Sequence, residues 1–173
     1  LAANKIESFL RDLETINASL TDGQAAIDEA DLSYFSAREK CQKVLTELAP
    51  LAQKRNLILK NECADTYIMS EPESFERIAS NLVSNAIKFA PPGTQIRLTS
   101  RADDDNLKIS VIDQGQGLSK SDEALIFQEH YQADSRQKQE GFGLGLSICQ
   151  RLVQNLGGRI GYDRKGGETQ FWF

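Results

Sequence analysis

The sequence predicts an α/β fold of the α+β kind: a two-layer sandwich with a mixed sheet against three main helices, preceded by part of a further helix. Three observations predict it. Short stretches alternate apolar and polar residues with period two, longer stretches repeat their apolar residues every three or four positions, and clusters of Gly, Pro, Asp and Asn separate them. Strands and helices mixed in this way bury their apolar faces by stacking helices on one face of a sheet.

The elements follow in order. From Ala3, the residues Ile6, Leu10, Leu13 and Leu20 recur in steps of three and four, with Asn17 filling the gap in the series. That is a helix with a narrow apolar seam, which either packs on the domain that follows or pairs with a second helix; a buried Asn at a seam position is a feature of pairing. Gly23 and the acidic Asp28, Glu29 and Asp31 break the pattern. The domain boundary is therefore expected near residue 25, with residues 1–25 as helix and linker and 26–173 as the main domain.

A helix is expected from near Ser33, carrying Leu45, Leu48, Leu51 and Ala52, and Pro50 should kink it or end it early. Leu57-Ile58-Leu59 and Tyr67-Ile68-Met69 are short strand candidates. Glu71-Pro72 opens a helix with proline in its first turn, Pro91-Pro92-Gly93 stops it, and Glu73 to Phe89 lies between. Ile96 and Leu98, then Leu107, Ile109 and Val111, alternate on either side of the turn-forming Asp103 to Asn106, which predicts an antiparallel hairpin. Residues 114–140 are polar and glycine-punctuated, as in a lid or a disordered loop. A helix from Leu144 to Leu156 stops at Gly157-Gly158, and strands near Arg159 to Tyr162 and Thr169 to Phe173 close the chain.

Composition narrows the function. A length of 173 residues, 40% hydrophobic and 26% charged, suits one domain with a small appendage. Twenty Lys and Arg against 25 Asp and Glu leave a net charge of −5, so no broad basic surface offers itself to nucleic acid. Cys41, Cys63 and Cys149 are odd in number and scattered, which suggests neither a disulfide framework nor a zinc site, and a reducing, cytoplasmic setting is expected. No apolar run approaches the ~20 residues of a bilayer span, and the N-terminus lacks a signal-peptide pattern. These residues are expected to be soluble without direct membrane contact, although a parent protein could be membrane-anchored.

Three stretches could carry chemistry. On the helix from Glu73 to Phe89, Phe75, Ile78, Ala79, Leu82 and Ala86 form an apolar stripe, and Asn81, Asn85 and Lys88 fall at i, i+4 and i+7 beside it. Carboxamide oxygens can ligate Mg²⁺ directly or through its waters, and a lysine can meet phosphate; the same residues would also suit a solvated helix face. Asp113-x-Gly115-x-Gly117 follows a strand, where a carboxylate could accept from an exocyclic amine such as that of adenine, or simply end a strand in a tight turn. Gly141-x-Gly143-Leu144-Gly145 leads into a helix, bringing bare N–H groups to a helix N-terminus as phosphate requires, or forming a flexible hinge. No Gly-Lys-Ser/Thr follows and no strand precedes it, so it is neither a Walker A loop nor a dinucleotide fingerprint.

Taken together and in this order, the three stretches resemble the boxes of sensor histidine kinases. Asn81-Leu-Val-Ser-Asn85-Ala-Ile-Lys88-Phe89 resembles the N box, Asp113-x-Gly115-x-Gly117 the G1 box and Gly141-x-Gly143-Leu144-Gly145-Leu the G2 box. Ala124 to Phe127 looks like the F box, and Gly166-Gly-Glu-Thr169 is loosely similar to the last glycine box. The resemblance spans about residues 31–173, and the N-terminal helix looks like the end of the second dimerisation helix of that family.

The resemblance implies a Bergerat-type sandwich that binds ATP with Mg²⁺. Asn85, assisted by Asn81, would hold Mg²⁺ against the triphosphate, Lys88 would touch phosphate, and Phe89 would lie beside adenine. Asp113 would accept from the adenine amine, with Gly115, Gly117 and Thr169 shaping that wall; residues 118–140 would form the lid, and Gly141, Gly143, Leu144 and Gly145 would meet the phosphates. The phosphoryl group would pass to a histidine on a dimerisation helix, the chain's own or a sister's in a homodimer, and then to a response-regulator receiver aspartate. Gyrase- and MutL-like ATPases carry a glutamate four residues before the metal-binding Asn; Asn81 stands there, which favours a kinase over a hydrolase. The F box departs from the pattern at His130 and Gln132, one cation short unless Arg136 or Lys138 replaces it, so a nucleotide-binding regulatory module of a degenerate kinase is the alternative. His130 is the only histidine and no His-Glu/Asp acceptor box is present. Its place in the lid argues against phosphoacceptance.

Overall fold

The computed structural model describes residues 31–103, 106–129, 131 and 144–173. The N-terminal helix, the boundary near residue 25 and the inner residues of the 103–106 turn lie outside them.

The elements are β1 (Ser33–Ser36), α1 (Ala37–Lys54), β2 (Ile58–Glu62), β3 (Tyr67–Ser70), α2 (Pro72–Phe89), β4 (Gln95–Ala102), β5 (Leu107–Asp113), α3 (Lys120–Glu123), α4 (Gly145–Asn155), β6 (Gly161–Lys165) and β7 (Glu168–Trp172). Five strands form a mixed sheet in the order β2-β4-β5-β7-β6, with β2 parallel to β4 and every other neighbour antiparallel. The expected hairpin is present, with Leu98 opposite Val111 and Ser100 opposite Ile109. Ile96, Leu98, Ile109 and Val111 are buried on the face that meets the helices, and α2 lays Phe75, Ile78, Ala79, Leu82, Val83, Ala86 and Ile87 against them. Among the described residues no helix is long and apolar enough to cross a membrane.

Several elements differ from expectation. Residues 33–36 are a strand, because Tyr34 and Phe35 pair with Met69 and Ile68 of β3 in a separate two-stranded ribbon. The Ser36 side chain then accepts from Glu39 N at 3.2 Å, and α1 starts at Ala37. Pro50 does not end that helix early: it is exposed in the penultimate turn, and the helix runs on to Lys54 with Leu48 and Ala52 buried on the packed side. The chain leaves α1 at Asn56, with φ 55°, a left-handed conformation that Asn tolerates. β6 runs from Gly161 to Lys165, later than Arg159 to Tyr162. Within the polar stretch after residue 114, α3 forms one turn under a capping box of Ser119 and Asp122.

Candidate active site

α2 positions the first group. Its apolar stripe is committed to the core, so Asn81, Asn85 and Lys88 are left half-buried along the edge of the helix. A Cβ added to Gly145 would stand 3.3 Å from Asn81 Oδ1, which places the start of α4 directly against that amide. The Cys149 thiol, one turn further along α4, hydrogen-bonds to Asn81 as well; complete burial pushes this thiol up to about 12, with Arg77 and Asn81 pulling the other way. At the far end of α2, Arg55 donates to the carbonyls of Lys88 (2.5 Å) and Ala90 (3.5 Å) and so fixes the helix terminus. Lys88 Nζ lies 5.6 Å from the centre of the Phe89 ring, which is about half exposed at 49%.

The second group is the turn after β5. Asp113 is buried, with Oδ1 accepting from Gly115 N at 2.6 Å, an Asx-type closure of the turn. Gly115 is confined: a Cβ there would meet Asp113 Oδ1 at 2.7 Å and the Phe89 carbonyl at 3.3 Å, so the turn rests on the end of α2. Gly117 has φ +73°, and a Cβ there would collide with the Arg164 guanidinium and the Tyr162 hydroxyl. Thr169 is buried opposite Asp113 in the β5–β7 register, and its hydroxyl donates to the Gly115 carbonyl at 3.3 Å. Burial pushes the Asp113 carboxyl up to about 6, while the Gly115 amide and Arg164 pull it down and Glu168 adds a smaller upward push.

The third group is the start of α4. The other helices all close their first turn with a side chain: Ser36 on α1, Glu71 on α2 and Ser119 on α3. At α4 the residue in that position is Leu144, whose side chain makes no capping bond, and no acidic residue stands in the first turn. The N–H donors and the positive end of the helix dipole therefore open toward Asn81.

The structure sets Asn81 against Gly145, the residue after Leu144, and sets Gly115 against Asp113, Thr169 and the Phe89 carbonyl at the end of α2, with Gly117 beside Arg164; Asn85 and Lys88 lie on α2 between these two sets of contacts. Gly141, Gly143, His130, Gln132, Arg136 and Lys138 lie outside the described residues. Arg164, Tyr162, Arg55 and Cys149 were not among the candidates from sequence. The only signal for the first two is their period-two spacing on a strand, which says that they share a face and not what that face meets.

Residues 70–173 match the histidine kinase-, DNA gyrase B- and HSP90-like ATPase family, and the chain belongs to it. Similar proteins include histidine kinases. The chain is 39% identical over 148 residues to the sensor histidine kinase GacS of Pseudomonas protegens, covering 80% of this chain and 16% of that protein. Among solved structures, full-length ShkA in complex with AMPPNP superposes with a TM-score of 0.82 at 27% identity, over 95% of this chain and 35% of that one. The histidine kinase ThkA in complex with the response regulator TrrA superposes with a TM-score of 0.70 at 21% identity, over 82% of this chain and 40% of that one. The mixed sheet and its helices are the Bergerat fold, and the domain is of the ATP-binding catalytic type found in sensor histidine kinases. The chain spans well under half the length of each of these three proteins.

Proposed function

We propose that this domain binds Mg-ATP in the crevice between α2, α4 and the 113–117 turn. From there it would deliver the γ-phosphoryl group to a histidine of a dimerisation helix, for relay to a response-regulator aspartate. The observation that carries the reading is the contact between Gly145 and Asn81. It sets a helix N-terminus that Leu144 does not cap with its side chain beside the Asn81 amide, so anion donors and a metal-ligating oxygen stand together.

The residues fit the cofactor. Asn85, with Asn81 assisting, supplies neutral oxygen ligands of the kind Mg²⁺ takes when most of its shell is phosphate and water. Bound there, Mg²⁺ would neutralise charge on the triphosphate. Lys88 and the N–H groups from Leu144 onward, with Gly141 and Gly143 ahead of them, would hold phosphate oxygens. Asp113 would accept from the adenine amine through Oδ2, since Oδ1 is engaged by Gly115. Gly115, Gly117 and Thr169 would form the wall around the base, with Phe89 beside it.

Phosphoryl transfer needs positioning and charge neutralisation more than a covalent group of the domain's own. The bond from the γ-phosphorus to the bridging oxygen breaks as an imidazole nitrogen of the acceptor attacks, and ADP leaves. Residues 1–25 would belong to the second dimerisation helix, and a receiver domain is the expected downstream partner, as TrrA is for ThkA.

Incubation with γ-labelled ATP and a separately supplied dimerisation-helix pair tests this. A labelled histidine on the helix is expected; ATP turnover into free phosphate without it would overturn the assignment. The sequence of the lid, with His130 and Gln132 in place of the family's residues, favours one second reading, a nucleotide-binding regulatory module. Tight ATP binding with no transfer to any acceptor would select it.

A further inference from the structure

We propose that Arg164, on β6, is a positioning residue for base recognition: it braces the 113–117 turn from the edge of the sheet and holds the wall against which the base is read. This rests on the reading of the crevice as an adenine-nucleotide site. Four contacts carry it. Arg164 Nη1 lies 3.3 Å from the Gly115 carbonyl oxygen, to which it donates, and 3.5 Å from Thr169 Oγ1. It fills the volume a Cβ at Gly117 would enter, at 1.8 Å, so the bare backbone of Gly117 is a matched surface for the guanidinium. Two residues back on the same face of β6, the Tyr162 hydroxyl accepts from Leu118 N at 2.9 Å and pins the far end of the turn.

The Gly115 carbonyl is the hub. It receives Thr169 from β7 and Arg164 from β6, while the Gly115 amide donates to Asp113. A shift of this peptide moves the carboxylate that reads the base. Arg164 is exposed, so it closes the turn from the solvent side. Among the described residues, the charged groups acting on Asp113 are Arg164 from β6 and Glu168 from β7, the latter paired with Arg97 of β4 at 2.9 Å. The α2 end adds the Phe89 carbonyl against Gly115.

The test is calorimetric titration of the full chain with Mg-ATP and Mg-GTP on either side of pH 6, for wild type, Arg164→Met and Arg164→Lys. Asp113→Asn serves as the reference for titration of the nucleotide itself. Arg164→Met should weaken Mg-ATP about fivefold, the scale of one lost hydrogen bond. It should also narrow the preference over Mg-GTP and move the affinity inflection to higher pH, because Asp113 loses its positive neighbour. Arg164→Lys should return the inflection toward wild type, while recovering the base preference only in part, since an ammonium cannot span the same two acceptors. An unmoved inflection together with an unchanged ATP-over-GTP preference in Arg164→Met would overturn the assignment of Arg164 alone. Failure of the wild type to bind Mg-ATP would instead sink the nucleotide site, and this proposal with it.

Discussion

The N-termini of α2 and α4 belong to packed helices of the same domain and treat the same physical problem in opposite ways. At α2, Glu71 accepts from Glu73 N at 2.7 Å and Ser74 N at 2.6 Å, with Pro72 occupying the first turn, where its missing N–H removes a third claim. At α4 the side chain in the capping position, Leu144, answers none of those claims. A helix that serves only the core closes its donors with its own side chains. One that is to hold an anion leaves them to the ligand.

Breaking this contrast has graded consequences. The largest effect is expected at Asn85, the proposed Mg²⁺ ligand one turn along α2 from Asn81: Asn85→Ala should lower Mg²⁺-dependent ATP affinity on the order of 100-fold. The variant should still melt cooperatively, and calorimetry with and without a chelator checks both points.

Leu144→Asp would give α4 the cap that it lacks. A carboxylate on those N–H groups competes with phosphate and repels it, so ATP affinity should fall about tenfold. Thermal stability should barely move, because a cap worth ~1 kcal/mol is offset by the lost packing of a half-buried leucine. Unchanged nucleotide affinity would show that the open end of α4 is not a phosphate site.

The reverse experiment is Glu71→Ala. Removing the cap of α2 should cost ~1 kcal/mol of stability in denaturant unfolding and leave ATP affinity unaltered. A loss of affinity there would mean that the two ends are not as separable as their capping suggests.

The smallest and most diagnostic effect concerns pH. Burial raises Asp113 above its ordinary 3.8 to about 6. Its contribution to folding stability is therefore fully present below about pH 3.8 and is lost as pH rises through about 6. Binding should run the other way: an ionised carboxylate is the better acceptor for an amine, so ATP affinity should decline as pH falls through about 6. Asp113→Asn should abolish that inflection and weaken discrimination of adenine from guanine, since an acceptor-only group becomes one that also donates.

The parts legible in the chain were those with a local period or a local turn. The apolar stripe of α2 and the amides at Asn81 and Asn85 both follow from 3.6 residues per turn, and the β4–β5 hairpin from alternation around a polar turn. Of the β1–β3 ribbon, β3 was legible in Tyr67-Ile68-Met69, while β1 and the pairing were missed. The four residues of β1 are too few to show alternation, and Tyr34 and Phe35 declare themselves as strand residues only when paired with Met69 and Ile68 across more than thirty positions of chain.

The order of residues was enough to settle which chemical groups this domain carries, because helical spacing and glycine turns are properties of a few consecutive dihedrals. It was not enough to settle which groups meet. Thr169 facing Asp113, Gly145 touching Asn81 and Arg164 filling the space beside Gly117 all depend on strand order and on the packing of α4 against α2. Such contacts join segments 47 to 64 residues apart in chains whose local propensities are silent about them. Register and close packing are decided jointly by the whole core, where moving one strand by one residue would turn every one of these side chains to the opposite face.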